Sequence, residues 1–185
     1  YGGDGNDVVL AGAGNNYIDG GNGTDTLSYE GETSRVYSAL VGQTYVYGRG
    51  EFDQFLNIEN VSGSNFNDTL NGDDKANVLA GNGGDDWLEG GGGSDTLKGG
   101  AGHDLFVFNT SADSSTAAPD RIMDFFVGED RLYFGASFAV TGVEHGAASE
   151  GLLGYTYDAA TNKTIVTSNT DFKLILDGHI DLTSD

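Results

Sequence analysis

Residues 81–108 read GNGGDDWLEGGGGSDTLKGGAGHDLFVF, and the physical oddity of this stretch decides the fold. Ten of its 28 residues are glycine, each costing backbone entropy on folding, and Asp85, Asp86, Asp95 and Asp104 recur where like charges repel. Written in nines, the oddity becomes a rule: GNGGDDWLE begins at Gly81, GGGGSDTLK at Gly90 and GGAGHDLFV at Gly99. Glycines take the turn positions, aspartate the sixth and an apolar residue the eighth. Such a unit needs a counter-charge and a neighbour to stack on.

The same nine extend upstream as GGDGNDVVL from Gly2, AGAGNNYID from Ala11, GGNGTDTLS from Gly20, GSNFNDTLN from Gly63 and GDDKANVLA from Gly72. That makes eight copies. The eighth position holds Val9, Ile18, Leu27, Leu70, Leu79, Leu88, Leu97 and Phe106; the sixth holds Asp7, Asn16, Asp25, Asp68, Asn77, Asp86, Asp95 and Asp104. A fixed short period marks a stacked, quasi-one-dimensional architecture.

This pattern resembles the G-G-x-G-x-D-x-U-x repeat of hemolysin-type (RTX) calcium-binding proteins, over most of residues 2–107. The resemblance implies an all-β fold, a parallel β-roll in which six residues turn, three form a strand and two nonapeptides complete a coil. It also implies calcium as the cofactor, held by Gly3, Gly5, Asp7, Asn16, Gly21, Gly23, Asp25, Asp68, Asn77, Gly84, Asp86, Gly91, Gly93, Asp95, Gly100, Gly102 and Asp104; position 82, an asparagine, is outside the set. The chemistry suits the residue types, since calcium takes six to eight hard oxygen ligands and glycine lets carbonyls approach without a Cβ between. With alternate copies on one side of the roll, the expected pairs are Asp7 with Asp25, Asp68 with Asp86, Asp86 with Asp104, and Asn77 with Asp95. The first and third are expected to be strongest, because Phe66 and Lys75 replace the fourth-position glycine and Asn16 and Asn77 replace aspartate.

Composition agrees. The 185 residues carry 29 Asp+Glu against 8 Lys+Arg, a net charge of −21, which disfavours nucleic acid and anionic membrane and favours a bound cation. There is no cysteine, so neither a disulfide nor a thiolate metal site is available. No apolar run approaches the ~18 residues of a membrane span and no signal peptide is visible. Tyr1 stands inside an ongoing pattern, so the chain reads as a fragment of a longer protein.

Residues 29–62 break the period. Segments 35–41 and 43–47 concentrate β-formers around Gly42, predicting a hairpin that protrudes from the roll or widens it. Tyr37, Tyr45, Tyr47 and Phe52 are expected to pack against the roll, with a sugar site as the alternative. Trp87, at position seven, should face outward and be covered by the insertion or the C-terminal region, the alternative being a carbohydrate platform. After a polar connector ending at Pro119, DRIMDFFVGEDRLYF predicts two strands. It resembles the segment that follows the repeats in serralysin-type protease C-terminal domains and in the R-modules of mannuronan epimerases, through Asp120, Ile122, Asp124, Phe125, Gly128, Asp130 and Leu132. Asp124 reads equally as ligand of a last ion or as a turn residue. Segments 152–157, 163–168 and 172–176 predict a β-meander with AATN as a turn. The organisation expected is a roll over 1–108, with repeats at 2–28 and 63–107, and a capping and secretion-signal region over 109–185.

Catalytic patterns are missing: there is no H-E-x-x-H, no G-x-S-x-G and no cysteine nucleophile. His103 takes a variable turn position, and His145 and His179 read as solvated residues of glycine-containing loops. The resulting expectation is a non-catalytic, monomeric, calcium-binding module of a secreted, extracellular bacterial protein, exported by a type I secretion system whose signal begins in DLTSD. The alternatives are an anionic-polysaccharide (alginate) module using Arg121, Arg131, Lys163 and Lys173, and a segment of an RTX adhesin.

Overall fold

A computed structural model describes residues 1–47, 49–135, 138, 142–146, 152–168 and 171–182. Among them every regular element is a strand, and two sheets of eight and ten strands account for all but one two-residue pair. Consecutive copies alternate between the sheets, so a strand pairs in parallel with the strand 18 residues on. In the eight-stranded sheet Leu70 sits beside Leu88 and Leu88 beside Phe106; in the ten-stranded sheet Leu79 sits beside Leu97. This is the parallel β-roll that the resemblance implies.

The eighth-position side chains form the interior. Leu27, Leu70, Leu79, Leu88, Leu97 and Phe106 are fully buried, Ile18 nearly so, and Val9, in the edge strand Val8–Leu10, only partly. Each buried leucine contributes roughly 1.5–3 kcal/mol. One such residue per strand makes a thin core that cannot alone offset the ordering of nine residues.

The insertion forms the predicted hairpin, Val36–Ala39 antiparallel to Gln43–Val46, with Gly42 at φ 104° in the turn. A third strand, Glu51–Leu56, follows and pairs in parallel with Tyr17–Asp19. All three lie within the eight-stranded sheet between the second and fourth copies, so the insertion widens the roll. Strand alternation sends Val36, Ser38, Thr44, Val46, Asp53 and Phe55 inward. The four aromatics expected against the roll lie on the other face: Tyr37, Tyr47 and Phe52 are exposed, Tyr45 lies 4.6 Å from Phe52 and 4.9 Å from Tyr47, and the Arg35 guanidinium covers the Tyr47 ring at 4.2 Å.

Asp120–Ile122 and Arg131–Phe134 extend the two ladders by one further strand each, pairing in parallel with Thr96–Ala101 and Leu105–Phe108. The meander then forms as predicted: Leu152–Asp158, Lys163–Thr167 and Lys173–Asp177 are successively antiparallel, and the last joins Asp120–Ile122 in parallel. Phe108, Phe134, Phe138 and Phe172 contact one another at centroid distances of 5.1 to 5.8 Å and close the end of the roll. Trp87 faces outward, 39% exposed, with Tyr133 beside it at 6.4 Å.

One expectation is corrected. His145 belongs to the strand Gly142–His145, where backbone pairing with Leu152–Asp158 overrides the local glycines. Of the four basic residues, Arg121, Lys163 and Lys173 lie in neighbouring strands of the ten-stranded sheet and Arg131 in the other, and Arg121 is held by Asp177 at 2.5 and 2.8 Å. Of the DLTSD tail, residues 183–185 lie outside the described residues.

Candidate metal centres

Each turn begins as backbone. The second- and fourth-position glycines Gly3, Gly5, Gly21, Gly23, Gly84, Gly91, Gly93, Gly100 and Gly102 all have positive φ. At Gly100 and Gly102 a Cβ would also fall 2.1 Å from the carbonyl oxygens of Asn82 and Gly84 in the preceding coil, so the coils stack backbone on backbone. At position one the obstacle differs: a Cβ on Gly81 would lie 2.0 Å from Asp86 Oδ2 and 2.6 Å from the Gly99 carbonyl oxygen. On Gly2 it would meet Asp7 Oδ2 at 2.6 Å and the Gly20 carbonyl at 2.3 Å. A carboxylate oxygen and a carbonyl oxygen thus share a space that glycine keeps open.

The sixth-position carboxylates form two columns joined by one repeated hydrogen bond. In the eight-stranded sheet Asp68 N–H donates to Asp86 Oδ1 at 2.7 Å, Asp86 N–H to Asp104 Oδ1 at 3.0 Å and Asp104 N–H to Asp130 Oδ1 at 3.0 Å. In the other, Asp7 N–H donates to Asp25 Oδ1, Asn77 N–H to Asp95 Oδ1 and Asp95 N–H to Asp120 Oδ1, each at 2.8 Å. All four expected pairs are therefore neighbours. The Asp25 N–H in turn donates to Glu59 at 2.9 Å, so a carboxylate follows Asp25 as well.

The second carboxylate oxygen separates the copies into two kinds. Among the described residues Oδ2 of Asp7, Asp25, Asp86, Asp95, Asp104 and Asp120 is buried with no hydrogen-bond partner. Asp68 differs: Val36 N–H, Ser64 N–H and the Ser64 hydroxyl donate to its two oxygens at 2.5 to 2.9 Å. Asn16 and Asn77 also satisfy themselves. Asn16 Nδ2 donates to the carbonyls of Ala11 and Gly14 and to Asp53, and Asn77 Nδ2 to the Glu59 carbonyl and Asp73. An amide or hydroxyl donor here takes the place of a positive charge.

Burial dominates the electrostatics of Asp86, Asp95, Asp104 and Asp120. It pushes the Asp86 carboxyl up to about 8, Asp120 to about 8, Asp95 to about 7 and Asp104 to about 6, against the opposing effect of the N–H donors, with neighbouring carboxylates adding to the rise. Such groups need a proton or a cation near neutrality. No three acidic or histidine side chains converge among the described residues, so an ion here would rest on two carboxylates and draw its other ligands from turn carbonyls. All-oxygen donors of that kind fit calcium and do not fit zinc.

Sequence reasoning placed Asp120 and Asp130 in the segment after the repeats and missed that they continue the two columns. FFVGEDRLY, from Phe125, carries Gly128 fourth, Asp130 sixth and Leu132 eighth, a degenerate ninth copy; Asp120-Arg121-Ile122 repeats the sixth-to-eighth pattern after an irregular turn. Asp130 is satisfied, its Oδ2 accepting Phe126 N–H at 2.8 Å. Asp124 clamps the eighth copy, accepting Gly99 and Gly100 N–H at 3.0 Å. His103 contacts the Glu129 carbonyl and His179 stacks on Tyr157 at 4.2 Å, and no histidine joins a metal-holding group among the described residues.

Residues 1–183 match the family described as Peptidase M10 serralysin C terminal. The chain is 46% identical over 156 residues to the metalloprotease AprA of Pseudomonas entomophila (strain L48), covering 77% of this chain and 32% of that protein. It is 43% identical over 152 residues to the metallopeptidase AprA of Pseudomonas marginalis, covering 77% and 31%. The chain thus spans about a third of the length of these relatives. Among solved structures it is similar to the AlgE6R2 subunit of an Azotobacter vinelandii mannuronan C5-epimerase, at 32% identity and TM-score 0.45, covering 64% of this chain and 83% of that one.

Proposed function

The chain belongs to the Peptidase M10 serralysin C-terminal family, the non-catalytic C-terminal part of such proteases, and from that premise we propose that it is a calcium-dependent folding and export module of a larger secreted bacterial enzyme. The observation that carries this reading is the set of buried, unpartnered Oδ2 atoms, which fall into three neighbouring pairs: Asp7 with Asp25, Asp86 with Asp104, and Asp95 with Asp120. Calcium, when bound, supplies the positive charge that lets both carboxylates of a pair remain ionised in a buried turn.

The chain's own residues do the rest. Oδ1 of Asp25, Asp86, Asp95, Asp104 and Asp120 accepts an N–H from the coil before it, Oδ2 of the repeat aspartates faces the glycine-lined space, and the leucine column seals the interior as coils stack. Where calcium is scarce, as in the cytosol, the net charge of −21 keeps the repeats extended and fit for passage through a type I secretion machinery; outside the cell folding follows. Residues 1–108 and 109–185 act on this reading as roll and cap. Calorimetric calcium titration followed by circular dichroism tests it: saturable binding coupled to a gain of β structure is expected, and a chain that folds alike in chelator would overturn it.

A second reading, polysaccharide binding, draws on the outward row Phe52, Tyr45, Tyr37, Thr69 and Trp87, one residue from each successive strand of the eight-stranded sheet. Retention in affinity electrophoresis by alginate or by a neutral glucan, abolished by Tyr37→Ala with Trp87→Ala, would support it.

A further inference from the structure

Two outward rows of side chains cross the eight-stranded sheet side by side. The first is Phe52, Tyr45, Tyr37, Thr69 and Trp87, one residue from each successive strand. The second is Tyr17, Gln54, Gln43, Ala39, Asn71 and Glu89. Rings at these positions are not a requirement of the roll. On the ten-stranded sheet the matching row is Val8, Thr26, Asn60, Val78, Thr96 and Arg121, without an aromatic residue. Phe52, Tyr45 and Tyr37 stand on the insertion, which has no part in the nine-residue period.

Tyr17, Phe52, Tyr37 and Trp87 are all exposed, and Asn71 Nδ2 ties the Tyr37 hydroxyl at 3.3 Å. Neighbouring strands lie about 4.8 Å apart, so each step along a row is on the scale of one pyranose ring. Tyr133 continues the line beside Trp87 at 6.4 Å. At the other end Tyr17, Phe52, Gln54, Asn15 and Asn16 surround an open recess of about 320 Å³.

The face is close to neutral in an otherwise acidic protein. Within the two rows Glu89 alone is charged, and Asn109 Nδ2 donates to it at 2.6 Å. Arg35, at the rim, lies over the Tyr47 ring at 4.2 Å, and Arg131 enters the first row only two strands beyond Trp87. Arg121, Lys163 and Lys173 belong to the other sheet. With a net charge of −21 on the whole chain, an anionic polymer is repelled here. Exposed rings alternating with the amides of Gln54 and Gln43 and the hydroxyl of Thr69 suit a flat, uncharged glycan. The C–H faces of its pyranoses stack on the rings, and its hydroxyls bond the amides.

We propose that this face binds a neutral β-linked glycan laid across the strands, from the recess at Tyr17 and Phe52 past Tyr37 to Trp87 and Tyr133. The proposal rests on the polysaccharide reading above and adds the charge class of the glycan and its path. It also gives the insertion a task, since widening the sheet is what brings the rings into one row.

Trp87 is the chain's one tryptophan, so its emission reports this face without any substitution. Titrating the full 185-residue chain, in calcium, with hydroxyethyl cellulose, a soluble neutral glucan, should shift that emission saturably. Affinity electrophoresis in the same glucan should retard the chain. Alginate should do neither, and the glucan titration midpoint should be the same at about 0.1 M and about 1 M salt, because no charge takes part. Tyr37→Ala and Tyr17→Ala should each weaken glucan binding about five- to tenfold. Thr96→Ala, on the other sheet, should leave it unchanged, with circular dichroism checking that each variant folds. Retardation by alginate and not by glucan would overturn the proposal and leave the polysaccharide reading standing; retardation by neither would overturn both. Glucan retardation with Trp87 emission unmoved in the wild type would put the glycan elsewhere and overturn the proposal even if the variants fail to fold.

Discussion

The backbone N–H of Asp86 donates to Oδ1 of Asp104 at 3.0 Å, so one oxygen of the Asp104 carboxylate is engaged by the coil before it while Oδ2 is buried without a partner. That division of labour within one carboxylate links fold to ion: the same residue stacks coils and demands positive charge. In chelator most of the β structure should be lost. If three sites each sit at ten times their dissociation constant, each adds about 1.4 kcal/mol, or about 4 kcal/mol together, a large share of a domain's stability. Circular dichroism with and without calcium checks this, and magnesium should substitute poorly because it retains its waters and prefers octahedral geometry.

Protons should substitute in part. Asp86, Asp95, Asp104 and Asp120 have carboxyls raised by burial to between about 6 and about 8 in the folded chain, above the ordinary value near 3.9. Their protonation favours the ion-free fold fully below about 3.9, and that contribution disappears as pH rises through about 6 to 8. In chelator, β structure should therefore reappear on acidification from pH 8 to pH 5, while calcium affinity should fall over the same interval. A chelated chain whose circular dichroism is flat across this window would contradict the burial of these groups.

Asparagine at the sixth position should mark turns that need no ion. Asn77 closes its turn through Nδ2 to the Glu59 carbonyl at 2.8 Å, and its Oδ1 accepts Asp73 N–H at 2.9 Å. Asn77→Asp removes that donor and places a second free carboxylate oxygen beside Asp95. The variant should bind one additional calcium ion, counted by native mass spectrometry, and be less structured than the wild type in chelator.

The first-position glycines make a steric prediction. Gly81→Ala would put a methyl group 2.0 Å from Asp86 Oδ2, whereas Gly31→Ala meets nothing within 4 Å and needs no unusual backbone angle. Gly81→Ala should cost about 1–3 kcal/mol of calcium-loaded stability in urea unfolding. Gly31→Ala should be neutral or slightly stabilising.

Much of this was legible in the sequence, because a nine-residue period fixes strand spacing, side-chain face and pairing partner together. Leu79 beside Leu97 and Asp86 beside Asp104 follow from the count of 18. What escaped depends on donors that arrive from elsewhere. Nothing local to Asp68 announces that Val36, 32 residues away, will donate to it at 2.7 Å. Nor does the glycine-free turn before Asp120 look like a repeat, although backbone pairing places that residue as one. The third insertion strand, Glu51–Leu56, was hidden because its inward residues alternate a buried aspartate with a phenylalanine, Asp53 and Phe55. Asp53 is tolerated inside only because Tyr29 and Asn16 donate to it.

Asp68 and Asp86 occupy the same position of the same column, 18 residues apart, and should respond oppositely to removal. Asp68 holds three protein donors from Val36 and Ser64, so Asp68→Ala leaves a buried backbone N–H of the insertion unpaired and loosens the re-entry into the repeats. At about 1–3 kcal/mol for a buried group left unsatisfied, the loss should be clear in urea unfolding. The calcium count should not change, because neither Asp68 oxygen is free. Asp86→Ala instead deprives Asp68 N–H of its acceptor and also removes an unpartnered oxygen from the pair with Asp104. It should lose one ion at saturating calcium, and hydrogen exchange should rise around residues 81–104 while Val36–Ala39 and Gln43–Val46 remain protected. For Asp68→Ala the pattern should reverse, with the insertion hairpin exchanging faster and residues 90–104 unaffected. Loss of an ion from Asp68→Ala, or its retention in Asp86→Ala, would show that the hydrogen-bond partners of Oδ2 do not decide which aspartates bind calcium.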